Sequence, residues 1–156
     1  MFRRAVLATI ILSLTAVGTA ACNMISPVAS MIEYAPSDGT QGDLGTLKAR
    51  NVMILTNGSN SALFGAFVNE SAEPIEFAIA YNDASNNKSW RQFSIKPYQV
   101  IHFGSGSNPL NIPIKVKAGS IEEITVGNVD GSITLNVPVL DASIPQYKEL
   151  VAELGN

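Results

Sequence analysis

The sequence predicts an all-β fold, an antiparallel sandwich, carried behind an exported N-terminal segment. Three observations lead there. From Leu44 on, short runs rich in β-branched and aromatic residues are broken by Gly, Asn, Asp and Pro turns. One run alternates strictly, with Ile75, Phe77, Ile79 and Tyr81 opposite Glu76, Ala78, Ala80 and Asn82, which is the pattern of a half-buried strand. Helical spacing occurs only in the tail, where Tyr147, Leu150, Val151 and Leu154 fall on one face.

Met1–Ala21 places Arg3 and Arg4 before an apolar run from Ala5 to Ala16 and ends in Val17-Gly18-Thr19-Ala20-Ala21. A basic head, an apolar middle and a small-residue exit are the parts of a secretory signal peptide. Cys22, the only cysteine, follows directly. That junction resembles the bacterial lipobox, which implies acylation of the Cys22 thiol after cleavage and a lipid anchor on the outer face of the cell membrane. Two other readings exist, a plain signal peptide that leaves a free thiol and an uncleaved anchor. The apolar run falls short of the about 20 residues that span a bilayer. An unpaired exported cysteine would be a reactive liability, which acylation removes.

Removing residues 1–21 of the 156 leaves 135, enough for one domain with its own core, and takes the net charge from −3 to −5 because Arg3 and Arg4 leave. An acidic domain has no electrostatic reason to bind nucleic acid. Without a second cysteine, apolar packing alone must hold the fold.

Residues 22–43 read as a flexible tether, rich in Ser, Pro, Ala and Gly and without sustained periodicity. Fully extended, such a segment reaches about 65 Å. A short apolar island, Met31–Tyr34, interrupts it. The domain then spans 44–140. Leu47–Thr56 is a strand ended by the turn dipeptide Asn57-Gly58, and Ala62–Asn69 follows. Ile75–Asn82, Trp90–Ile95 and Gln99–Phe103 are the next strands, separated by the Asp83–Lys88 loop and a Lys96-Pro97-Tyr98 turn. Gly104–Pro109 is a loop. Ile112–Val116 reads as an edge strand, since Pro113 lacks a ladder donor. Ile121–Val126 and Ile133–Val139 form a closing hairpin, the latter with Ile133, Leu135, Val137 and Val139 inward. Residues 141–156 form a tail with one short helix at most.

Val116–Leu140, with its hairpin and Val137-Pro138-Val139 ending, resembles the end of the PCuAC-type periplasmic copper chaperones. That resemblance implies an immunoglobulin-like or cupredoxin-like sandwich. In overall plan the chain is similar to actinobacterial lipoproteins of the LpqE kind. The shared stretches are the lipobox, Tyr34–Gly39, Arg50-Asn51-Val52, the Val-Pro-Val exit and Pro145-Gln146-Tyr147. The LpqE-like resemblance implies a partner, the cytochrome bcc–aa3 respiratory supercomplex. The copper does not carry over. Such sites use two His and two Met, whereas this chain offers His102 with Met24, Met31 and Met53 after Cys22 and lacks the closing His-x-Met.

No catalytic constellation is present. There is no Gly-x-Ser-x-Gly elbow, and one histidine with no free cysteine leaves little for nucleophilic catalysis. Glu122 and Glu123 are neighbours and so point to opposite faces of a strand. Gly104–Asn108 lacks the Lys and following helix of a phosphate loop. Asp38 and Asp43 do not match the spacing of a calcium loop. The Asn-x-Ser matches at Asn57, Asn69 and Asn87 read as turn residues. No metal or cofactor is therefore expected, and the expected function is non-catalytic protein binding, with a degenerate metal-handling protein as the alternative. Trp90, Arg91, Tyr98 and Phe103 are the candidate partner surface, because aromatics and Arg dominate binding hot spots. The competing reading places Trp90 over the core.

Mass spectrometry of the mature N-terminus should find an acylated Cys22, and Cys22→Ala should leave the precursor uncleaved or release the protein. An unmodified N-terminus elsewhere in the stretch would contradict the lipobox reading.

Overall fold

The computed structural model describes residues 36–104 and 110–154. The signal segment, Cys22, Met24, the Met31–Tyr34 island and most of the Gly104–Pro109 loop lie outside them. The domain is an all-β sandwich with a short C-terminal helix. Nine strands follow in order: β1 Thr40–Leu44, β2 Leu47–Thr56, β3 Ser61–Asn69, β4 Ile75–Asn82, β5 Lys88–Ile95, β6 Val100–Phe103, β7 Leu110–Asn111, β8 Ile121–Asn128 and β9 Gly131–Leu140. A 3-10 turn at Pro145–Tyr147 leads into helix α1, Lys148–Ala152.

One sheet, here sheet A, pairs β2 with β1 and β3, and β3 with β6 and β7. The other, sheet B, runs β5-β4-β8-β9. Every pairing is antiparallel except one. At its end β9 crosses over and sets Val139 and Leu140 parallel to Ile54 and Leu55 of β2. The expected antiparallel sandwich thus carries one parallel seam, because a strand that switches sheets closes one side of the sandwich.

The inter-sheet core follows the alternation of each strand. Val52 and Ile54 of β2, Leu63 and Phe67 of β3, Phe77, Ile79 and Tyr81 of β4, and Leu135, Val137 and Val139 of β9 are all buried. Four phenylalanine rings close the side where β5 faces β6. Phe67 stacks on Phe77 at 5.1 Å and meets Phe103 edge-on at 5.6 Å, and Phe93 lies 5.5 Å from Phe77 and 4.8 Å from Phe103. Each such pair adds about 0.5–1.5 kcal/mol beyond the area it buries.

A second core lies on the outer face of sheet A. Met53 and Leu55 of β2 and Ala62 and Phe64 of β3 pack beneath Val151 and Leu154. Val52–Thr56 is therefore buried on both faces, which explains its unbroken apolar run. The tail helix forms on the expected residues, with Val151 and Leu154 buried and Tyr147 and Leu150 packed against the same cluster.

Several strand ends shift by one or two residues from the sequence reading, and two elements differ outright. Strand β1 starts at Thr40, inside the segment expected to be tether, and pairs through Leu44 with β2. The Ile112–Val116 strand does not form. Only Leu110 and Asn111 pair with β3, and the residues beyond turn inward through a bond from the Ile114 amide to the Ile112 carbonyl of 2.8 Å. Burial of Ile112 and Ile114 between the sheets satisfies the alternation without a ladder.

Asn69 is fully buried and clasps two turns together. Its Nδ2 lies 2.7 Å from the Glu73 carbonyl and 3.2 Å from those of Ile95 and Lys96, while its Oδ1 accepts the Ser71 amide and hydroxyl. It is a core polar anchor and not only the turn residue expected. Removal takes a donor from the buried Ile95 carbonyl and the acceptor from the Ser71 amide, at a cost of about 1–3 kcal/mol for each group left buried and unpaired. Asn69→Ala should lower unfolding free energy by about 2–4 kcal/mol in urea titration, against less than about 1 kcal/mol for Asn87→Ala in an exposed loop.

Candidate functional site

The four candidate surface residues do not gather into one patch. Trp90 and Arg91 are consecutive on β5 and face opposite ways. Trp90 pairs with Ala80 on the outer face of sheet B, whereas Arg91 pairs with the buried Ile79 on the inner face. Phe103 is 3% exposed and belongs to the phenylalanine cluster, so it is core and not surface. Tyr98 is exposed in the turn between β5 and β6, at φ +54°. At about 3.3 Å per residue it lies more than 15 Å along the strand direction from Trp90.

What surrounds Trp90 is set by sheet register. The row across sheet B reads Trp90, Ala80, Thr125 and Thr134, and the adjacent row reads Gln92, Ala78, Gly127 and Ser132. Small side chains make this outer face flat, and Trp90, 62% exposed, stands at its edge. Ile121, paired with Pro138, adds a second exposed apolar side chain on the same face, and Val129 sits at the tip of the β8–β9 hairpin. Nothing in the described residues covers this face, whereas α1 covers part of the outer face of sheet A. Sequence reasoning missed Ile121, whose position outward of Ile124 and Val126 follows from the parity of β8.

The segment leading into the domain is fastened by Asp38 and Gly39. Asp38 Oδ2 accepts Gln146 Nε2 at 2.6 Å and the Tyr147 hydroxyl at 2.7 Å. Gly39 donates its amide to Asn51 Oδ1 at 3.0 Å, and a Cβ on Gly39 would lie 2.5 Å from the Asn51 backbone carbon. Asn51 holds a left-handed φ of +50° at a bulge that shifts the β2–β3 register. Asp38 and Gly39 therefore bring Arg50–Val52 and Pro145–Tyr147 together at one place. Asp43 pairs with Arg50 and with Lys48, at 3.1 Å for the latter, and the Arg50 guanidinium leads in holding its carboxyl below the usual range. Asp38 and Asp43 thus serve as fasteners of the chain.

His102 lies exposed on the outer face of β6 beside Val100, opposite Ala66. Met53 is buried under α1, its sulfur in an apolar cluster. Among the described residues, no group of three or more His, Cys, Asp and Glu side chains converges as a metal site. Glu122 and Glu123 pair with Val137 and Asn136 respectively, on opposite faces. No helix of the described residues is long and apolar enough to cross a membrane. Neither the models of known protein families nor the curated proteins yield a match to this chain.

Burial, and secondarily the Asp38 carboxylate, holds the Tyr147 hydroxyl above its ordinary 10.0. The raised folded-state value means that its stabilisation is complete below pH 10 and is lost as pH climbs through the folded-state value. Tyr147→Phe should cost about 1 kcal/mol at neutral pH, a figure reduced by solvent exposure. It should also remove the corresponding loss on the alkaline side. Chemical denaturation at pH 7 and above 10 checks both.

Proposed function

We propose that this chain is a non-catalytic lipoprotein, acylated on Cys22, that holds a β-sandwich on the extracytoplasmic face of the cell membrane and binds a protein partner there. The observation that carries the binding reading is the inequality of the two outer faces. Sheet A has a helix over its apolar residues, and sheet B presents Trp90 and Ile121 beside a flat field of Ala, Thr, Gly and Ser. An exposed tryptophan on a face whose charges are Lys88, Glu76 and Glu123 fits a docking surface with a mixed polar surround, where aromatic anchors supply most of the binding energy. The leader sequence supports the anchor, and the resemblance to LpqE-like lipoproteins supports the cytochrome bcc–aa3 supercomplex as the partner. Confinement to the membrane raises effective concentration, so a modest interface suffices.

The test is recovery of the anchored protein from native membranes in mild detergent, with mass spectrometry of what accompanies it. Trp90→Ala should weaken that association by about tenfold or more. Arg91→Ala should leave it unchanged, because its side chain lies on the inner face. A protein that elutes alone, with cross-linking capturing no neighbour, would refute the docking function.

A further inference from the structure

The inner face of β5 runs Ile95, Phe93, Arg91, Ser89, and along it the core gives out. Ile95 is buried, Phe93 half-buried and Arg91 exposed. Cross-strand pairing puts Arg91 in one inward row with Ile79, Val126 and Ile133. It opens into a cleft of about 630 Å³ between the sheets. Ligand pockets typically measure about 300–1,000 Å³.

The cleft is built from backbone held at both ends. The Ile112 amide donates to the Ser61 carbonyl at 3.0 Å, and the Ala84 amide donates to the Pro113 carbonyl at 2.9 Å. Ile112, Pro113 and Ile114 supply an apolar wall, Asn60 and Ser61 supply polar groups, and Arg91 and Lys115 supply the charge. Among the described residues, no acidic one lines it. Among the described residues the ion pairs join Lys48 to Asp43 and Glu70, and Arg50 to Asp43, so Arg91 and Lys115 enter none. The acid nearest Arg91 along the chain, Asp83, bonds to Ser85, Asn87 and Ser89 within its own turn, and the one nearest Lys115, Glu122, accepts the Ser120 hydroxyl.

We infer that this cleft binds a small organic anion, a carboxylate or phosphate monoester carrying a short apolar body. The guanidinium fork of Arg91 matches the two oxygens of such a head group, Lys115 adds a second charge, and the exposed Pro113 ring with the edge of Ile114 receives the apolar part. The site is independent of the outer face of sheet B. An inward charge near a sheet edge also discourages edge-to-edge pairing, and the experiment separates the two roles.

The full chain, reconstituted in phosphatidylcholine nanodiscs, is titrated calorimetrically with hexanoate, hexyl phosphate and the neutral hexanol, against empty nanodiscs. At least one anion should bind saturably with one-to-one stoichiometry, at least tenfold tighter than hexanol. The preferred anion identifies the head group. Arg91→Gln with Lys115→Gln should bring that anion to within about twofold of hexanol, with an unchanged thermal midpoint because both side chains are exposed. Absence of saturable binding by either anion, or an anion preference that survives in the double variant, would overturn the site and leave Arg91 with edge protection alone.

Discussion

The contact of Phe67 with the facing sheet is the constraint on which most of this structure depends. The chain has a single cysteine, so no disulfide within it can hold the two sheets together. Adhesion rests on apolar burial, and Phe67, fully buried, stacks on Phe77 and meets Phe103 edge-on. Phe93 completes the cluster from β5 and thereby fixes which way that strand faces. Once Phe93 points inward, Arg91 must point inward and Trp90 outward, because strand side chains alternate. The separation of an outer aromatic face from an inner basic cleft thus follows from where one phenylalanine packs.

The two outer faces are treated differently by the same physics. Met53, Leu55, Ala62 and Phe64 would be an exposed apolar patch on sheet A without the tail. A helix of five residues has little stability of its own. It is held by the burial of Val151 and Leu154, by the bond of Asn57 Nδ2 to the Leu154 carbonyl at 3.0 Å, and by the Asp38 contacts to Gln146 and Tyr147. The Asp38 contacts also fasten the leading segment, so the two ends of the domain support each other. Sheet B needs no such cover, since its outer positions are mostly small or polar.

Much of the fold was legible because period-two alternation is local. Ile75–Asn82 and Ile133–Val139 reveal their faces from sequence spacing, and both strands form with those faces inward. The tail helix was legible for the same reason, with a period near 3.6 in place of 2. Thr40–Leu44 was not, because Gly42 and Asp43 are poor strand formers. It becomes a strand through pairing with β2 and the bonds of Asp43 to Lys48 and Arg50. Ile112–Val116 misled in the opposite direction. Its alternation is real, but Ile112 and Ile114 use it to plug the space between sheets and not to extend one.

The candidate surface shows where local reading stops. Trp90, Arg91, Tyr98 and Phe103 share residue types suited to binding, and residue type carries no information on what stands opposite. Phe103 disappeared into the core because Phe67 and Phe93 meet it there, and Tyr98, in the turn expected for it, stands at the other end of β5 from Trp90. By itself the sequence determined the all-β class and the parity of the principal strands, since both are written in neighbouring residues. Only the tertiary structure decided how deep each inward position lies, which outer face receives the helix and that Arg91 and Lys115 line one cleft. Those properties depend on side chains brought opposite each other from distant parts of the chain, and their pairing is set by sheet register and packing.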